Sequence, residues 1–172
     1  EPRGVTATAV CSLTVDPPSV VACINRDTWV GQFAPESGNF CVNVLTRDVQ
    51  PIGETFVGRT TLAAAEVSLL LCCAGKWSAE AGAEAVLEPQ QGWLLQAADV
   101  GDWSDSRTGA PVLGGAIASF DCELEQAVDF ATHVILIGRV LKSVSNDAQS
   151  EPLVYVGGVF TTTRNEVAAS AA

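Results

Sequence analysis

Residues 117–141 constrain this chain more than any other stretch. From Ile117 to Phe130, Phe120, Cys122 and Leu124 share one parity, while Asp121, Glu123 and Glu125 share the other. That alternation is what a half-buried strand requires. His133 to Leu141 is more continuously apolar and so reads as a central strand. Further strand text recurs. Ser19 to Ile24 follows Asp16-Pro17-Pro18, whose prolines bar a helix and mark a turn. Phe40 to Leu45 follows the turn text of Glu36 to Asn39, and Pro152 to Val156 and Val159 to Thr163 flank Gly157-Gly158.

Helical text is scarcer. Asp27 to Phe33 reads as a short helix capped by Asp27, and Asp48 to Val57 as another, with Pro51 in its first turn where proline is tolerated. Between Thr61 and Ala98 the composition turns to Ala, Leu, Glu and Gln. Helices are expected there from about Leu62 to Cys73 and near Ala79 to Leu87, the second ended by Pro89. No internal repeat is visible. Many short strands with a few small helices predict one mainly β domain over residues 1–172, closed as a barrel rather than built as an α/β sheet.

Composition removes several function classes. The net charge is −11 with nine Lys plus Arg, so nucleic acid and anionic membrane surfaces are not expected partners. With 48% apolar residues the chain has extra apolar surface to hide, which points to a buried subunit interface. Glu1-Pro2-Arg3-Gly4 is not signal-peptide text, and the run from Val67 to Gly75, broken by Ser68, is too short to cross a bilayer. The sequence has no Met and opens in strand-like text, so the native start is expected to lie outside it.

The six cysteines are Cys11, Cys23, Cys41, Cys72, Cys73 and Cys122; no CxxC occurs and there is a single histidine. Buried free thiols are favoured over a disulfide framework, no metal site is expected, and the chain reads as cytoplasmic.

The stretch from Gly4 to Pro18 is the most informative for chemistry. Thr6, Thr8, Ser12 and Thr14 share one parity, and Ala7, Ala9, Cys11 and Leu13 the other. Small residues let a backbone approach a flat ligand, and hydroxyls supply neutral donors and acceptors. A strand with a Thr-rich solvent face has the same pattern, and periodicity by itself favours that ordinary reading.

Gly4-Val-Thr-Ala-Thr-Ala-Val-Cys-Ser12, Asp16-Pro-Pro18 and Val21-Ala-Cys-Ile-Asn-Arg26 together resemble the flavin reductase-like domain family. The resemblance is nearest the short-chain reductases of two-component flavin monooxygenases, such as the reductase component of 4-hydroxyphenylacetate 3-monooxygenase. It continues in order through Gly38 to Leu45, Gln50, Phe56-Val-Gly-Arg59, Thr108 to Leu113, Ala118-Ser-Phe120, Thr132-His133, Ile137 to Val140 and Pro152 to Tyr155. Each motif alone is modest; their order and spacing over about three quarters of the chain make the signal.

The resemblance implies a six-stranded split β-barrel of the FMN-binding type, with a few short helices, forming a homodimer with FMN near its interface. It places Thr6, Ala7, Thr8 and Ala9 along the isoalloxazine, with Cys11 and Ser12 further along the same segment. Asn25, Arg26 and Thr28 map to an element that reaches toward the ribityl phosphate, and Arg26 and Thr28 suit a phosphate chemically. Asn43, Val44 and Leu45 map to a further cofactor-facing stretch, although Asn43 equally fits a buried strand asparagine satisfied by backbone. Thr132 and His133 map beside the nicotinamide pocket, with Ala131 where relatives carry glycine. A lone histidine entering an apolar strand is more often structural, so that reading stays open too.

No catalytic side chain is assigned, because hydride passes directly between nicotinamide and flavin once the rings are stacked. The implied activity is NAD(P)H-dependent reduction of FMN, or of FAD, for a separate oxygenase component, with NADH or NADPH as donor. Reduction of another acceptor such as a cobalt corrinoid, a flavin-binding module without turnover, and a plain β-barrel interaction protein are the alternatives. Against the family pattern, a helix and first strand before Gly4 are absent, and the segment 63–98 reads as a helical insertion, either a flap over the flavin or surface decoration. Val156-Gly-Gly-Val159 also replaces the basic or aromatic residues common after the last tyrosine.

Overall fold

The structure is a computed structural model that describes residues 3–55, 66–67, 69–73, 101–146, 151–156 and 159–162. Strands β1 (Arg3–Ala7), β2 (Val10–Val15) and β3 (Pro18–Asn25) lead into α1 (Trp29–Ser37) and β4 (Asn39–Val44). A 3-10 turn at Arg47–Val49 enters α2 (Gln50–Thr55). Then come β5 (Glu66–Val67), β6 (Leu69–Cys73), β7 (Trp103–Asp105), β8 (Pro111–Leu113), β9 (Ala118–Phe130), β10 (His133–Ser145), β11 (Leu153–Val156) and β12 (Val159–Thr162).

Seven strands form one sheet in the order β1-β6-β4-β9-β10-β3-β2, every pair antiparallel. Its two edge strands, β1 and β2, are consecutive in the chain and separated only by Thr8 and Ala9. Such a connector spans at most about 11 Å, whereas the edges of a flat seven-stranded sheet lie about 29 Å apart. The sheet therefore curls until one edge approaches the other. The sheet has seven strands where six were expected, with β1 and β2 separate on either side of the break at Thr8-Ala9. Two small sheets, β12-β11-β5 and β7-β8, complete the described strands.

The concave side of the curl is filled by Val5, Ala22, Ile24, Phe40, Val42, Cys122, Val134 and Leu136, closed by Val30 and Ala34 of α1. Phe40 is wholly buried and packs over Gly138, where a Cβ would lie 2.4 Å from its ring. Burying a ring of this size contributes about 2–3 kcal/mol. A second core joins Leu45, Val49, Ile52, Leu113 and Leu153, with Trp103 and Phe160 against it.

Most strand expectations hold, with β9 and β10 as the longest pair. Four expectations are corrected. α1 is capped by Thr28, not Asp27: the Thr28 hydroxyl accepts from Gly31 N at 3.1 Å, while Asp27 N donates to Asn25 Oδ1 at 2.8 Å. The helix expected over 48–57 splits into the 3-10 turn and α2. Of the helix expected over 62–73, the described residues form β5 and β6 instead. An apolar run of that length fits a buried strand and a buried helix alike, and pairing on both sides, to β1 and β4, settles it as strand. Finally, Asp121 is buried rather than solvent-facing, because the β7–β8 hairpin covers that face of the sheet. The expected helix at 79–87, and the insertion's residues 63–65, 68 and 74–98, lie outside the described residues. No helix among the described residues is long and apolar enough to cross a membrane.

Candidate functional site

Three segments build the site. The first is β1 through the break into β2. Thr6, Ala7 and Thr8 are half-buried, and Ala9, Cys11 and Ser12 are exposed. The Thr6 hydroxyl donates to Gly53 O at 2.7 Å, fastening β1 to α2. Ala9 O accepts from Cys23 N at 2.9 Å, bringing the break alongside the end of β3. The result is a strip of small side chains that a planar ring can approach closely.

The second is the turn from β3 into α1. Thr28 N and its hydroxyl both donate to Asn25 O, at 3.1 and 2.7 Å. α1 packs so closely on this turn that a Cβ at Gly31 would stand 2.2 Å from Asn25 O. The helix has no acidic residue in its first turn, so its positive end is not neutralised from within. Arg26 is about half exposed.

The third is the β9–β10 turn, two residues long, with Phe130 paired to His133 and Ala131 at φ 49°. Thr132 Oγ1 and His133 Nδ1 lie 2.9 Å apart. His133 is exposed and pairs with Asn25 in the β3–β10 ladder, while Arg26 N donates to Thr132 O at 3.0 Å. The second and third segments are therefore one structural unit. Exposure removes the core-histidine reading of His133.

The structure does not bring every expected residue to this surface. Asn43 is wholly buried: its Oδ1 accepts from Leu113 N at 3.0 Å and Ser119 Oγ at 2.8 Å, and its Nδ2 donates to Pro111 O at 3.4 Å. Of its two readings the structural one is realised. Leu45 is wholly buried in the second core, so neither side chain offers surface to a cofactor, and Val44 is half-buried between β6 and β9. The cysteines divide as well, with Cys11 exposed, Cys23 half-buried, and Cys41 and Cys122 buried, all four free. Burial, and then the charge of Asp121, pushes the Cys41 and Cys122 thiols up to about 12.

Two features escaped the sequence. Asp121 accepts from Ser106 Oγ at 2.8 Å, Thr108 Oγ1 at 2.5 Å and Thr108 N at 3.2 Å, holding the β7–β8 hairpin to the sheet. Its place in an alternating strand disguised it. A cleft beside this network, bounded by Ser104, Ser106, Ser119 and Lys142, lies about 30 Å along β10 from His133, away from the assembled surface. The other feature is Asp129, whose Oδ1 lies 3.6 Å from Arg26 Nε. Among the described residues no group of three or more His, Cys, Asp or Glu could hold a metal.

The flavin reductase-like domain family matches residues 1–164. The chain belongs to that family. It is similar to an FMN reductase (NADH) of Cronobacter turicensis, 33% identical over 144 residues that make up 84% of this chain and 68% of the relative. The 4-hydroxyphenylacetate 3-monooxygenase reductase component of Salmonella typhi is 28% identical over 166 residues, 96% of this chain and 79% of the relative. Among solved structures, the flavin reductase component of a bacterial two-component tryptophan halogenase superposes with a TM-score of 0.64 at 28% identity, covering 92% of this chain and 80% of that one.

Proposed function

We propose that this flavin reductase-like chain oxidises NAD(P)H, reduces FMN, and releases the reduced flavin to a separate oxygenase. What carries the reading is the convergence of the small-residue strip at Thr8-Ala9, the Asn25–Thr28 turn and the Thr132–His133 turn at one end of the β3–β10 ladder. The residues present fit the cofactor: a strip without bulky side chains for the ring, and a half-exposed guanidinium beside the Thr28-capped helix for the phosphate. FMN, once bound, supplies the hydride-accepting ring. Thr6, Ala7, Thr8, Ala9, Cys11 and Ser12 would line that ring, and Arg26 and Thr28 would hold the phosphate. His133, kept in place by Thr132, would orient the nicotinamide rather than move a proton. The protein's contribution is to align two rings and exclude water.

Closure of the curled sheet into a six-stranded split barrel, with the broken β1–β2 run as one strand, belongs to the same reading, as does a homodimer. Val15, Phe130 and Leu13 are 90%, 73% and 51% exposed, and they support a second copy as their cover. The free thiols of Cys11, Cys23, Cys41 and Cys122 support a reducing, cytoplasmic setting.

The test is oxidation of NADH and of NADPH by the purified protein with FMN, FAD, riboflavin or no flavin added. Saturable dependence on free FMN is expected. FMN binding without nucleotide oxidation at any flavin concentration would instead support a binding module, and turnover only with an added cobalt corrinoid would support the alternative acceptor.

A further inference from the structure

We infer that Asp129 sets how strongly this chain distinguishes a phosphorylated flavin from an unphosphorylated one, by holding the guanidinium that the phosphate would engage. The inference rests on the reading that Arg26 faces the flavin phosphate. Arg26 leaves β3 immediately before the Thr28-capped helix, and Asp129 is the penultimate residue of β9. Their side chains meet at 3.6 Å, Arg26 Nε to Asp129 Oδ1, and both are largely open to solvent, at 49% and 67%. The bond from Arg26 N to Thr132 O, 3.0 Å long, holds the two segments in fixed register. The backbone therefore keeps the two side chains within reach of each other.

The pair is well placed to be exchanged. A contact of 3.6 Å through Nε is looser than the bidentate fork an arginine forms with a carboxylate or phosphate. A flavin phosphate carries close to two negative charges against one on Asp129, and the end of α1 adds to its attraction. Binding FMN must then displace Asp129 from Arg26 or tolerate a carboxylate beside the phosphate. Riboflavin, which lacks the phosphate, meets neither condition. Asp129 thus weakens FMN selectively, by the few-fold that an exposed ion pair supports.

The experiment is a set of fluorescence titrations of FMN and of riboflavin against the wild-type chain and the variants Asp129→Asn, Arg26→Gln and Glu151→Gln. Glu151 pairs with Arg47 at 3.8 Å, so its variant removes one negative charge and one exposed pair elsewhere. Asp129→Asn is expected to tighten FMN about two- to fivefold, leave riboflavin unchanged, and lose the gain at high salt. Arg26→Gln is expected to weaken FMN alone, and Glu151→Gln to move neither ligand. An unchanged FMN-to-riboflavin ratio in Asp129→Asn, or an equal gain in Glu151→Gln, overturns the role of Asp129 while the Arg26 result stands. An unchanged ratio in Arg26→Gln overturns instead the placement of the phosphate.

Discussion

Thr108 Oγ1 donates to Asp121 Oδ1 at 2.5 Å, with the carboxylate 3% exposed, so a short surface hairpin is tied to the central sheet by a buried anion. Ser106 Oγ and Thr108 N donate to the same group. Hydrogen bonds to a charged group contribute about 1.5–3 kcal/mol, and orphaning their donors costs the desolvation of each. Asp121→Ala is expected to lose about 3 kcal/mol or more of stability, read as a lower urea midpoint. Asp121→Asn, which retains an acceptor, is expected to lose less.

The Cys41 and Cys122 thiols, raised from 9.0 to about 12, link stability to alkaline pH. The folded state keeps its protons where the unfolded chain gives them up, so the stabilisation is complete below pH 9 and lost as pH rises toward 12. Each thiol contributes a slope of about 1.4 kcal/mol per pH unit in that window. Urea midpoints measured across it should fall, and in Cys41→Ala/Cys122→Ala they should fall less steeply.

Alkylation separates the cysteines further. Cys11 is exposed on the segment proposed to face the flavin, whereas Cys41 and Cys122 are buried. Iodoacetamide followed by peptide mapping should modify Cys11 in the folded chain and spare the buried pair until denaturant is added. Saturating FMN should slow the Cys11 reaction; an unchanged rate would argue against that part of the site.

Ala131 sits at φ 49° in the turn that presents Thr132 and His133. That conformation costs a residue with a Cβ about 1–2 kcal/mol, partly offset in glycine by its greater unfolded entropy. Ala131→Gly is expected to raise Tm by a few degrees with FMN affinity unchanged. Gly31→Ala is expected to do the reverse. Its Cβ would stand 2.2 Å from Asn25 O, and parting α1 from the turn should cost about 1–3 kcal/mol and weaken FMN more than riboflavin.

The strands were legible wherever one face was polar and the other apolar, as on β9 around Phe120 to Glu125, or where a run was bounded by proline and glycine, as on β3. Leu69–Cys73 was not, since continuous apolar text fits a buried strand and a buried helix equally. The burial of Asp121 is not legible, because alternation reports which face a side chain occupies but not whether a hairpin covers that face. The site divides in the same way. Exposed residues bunched near one turn, such as Arg26 and His133, could be matched by motif, whereas Asn43 and Leu45 matched the motif equally well and are core. The Arg26–Asp129 pair joins residues 103 positions apart, and only the ladders that set β10 between β3 and β9 reveal it.

Flavin reduction by this chain is tested most directly by anaerobic mixing with FMN and excess NADH or NADPH, following loss of the flavin's visible absorbance. Bleaching far faster than the nucleotide and flavin react alone in buffer is expected, slowed in a His133→Ala variant that still binds FMN. FMN that binds but bleaches no faster than in buffer, with either nucleotide, would contradict it.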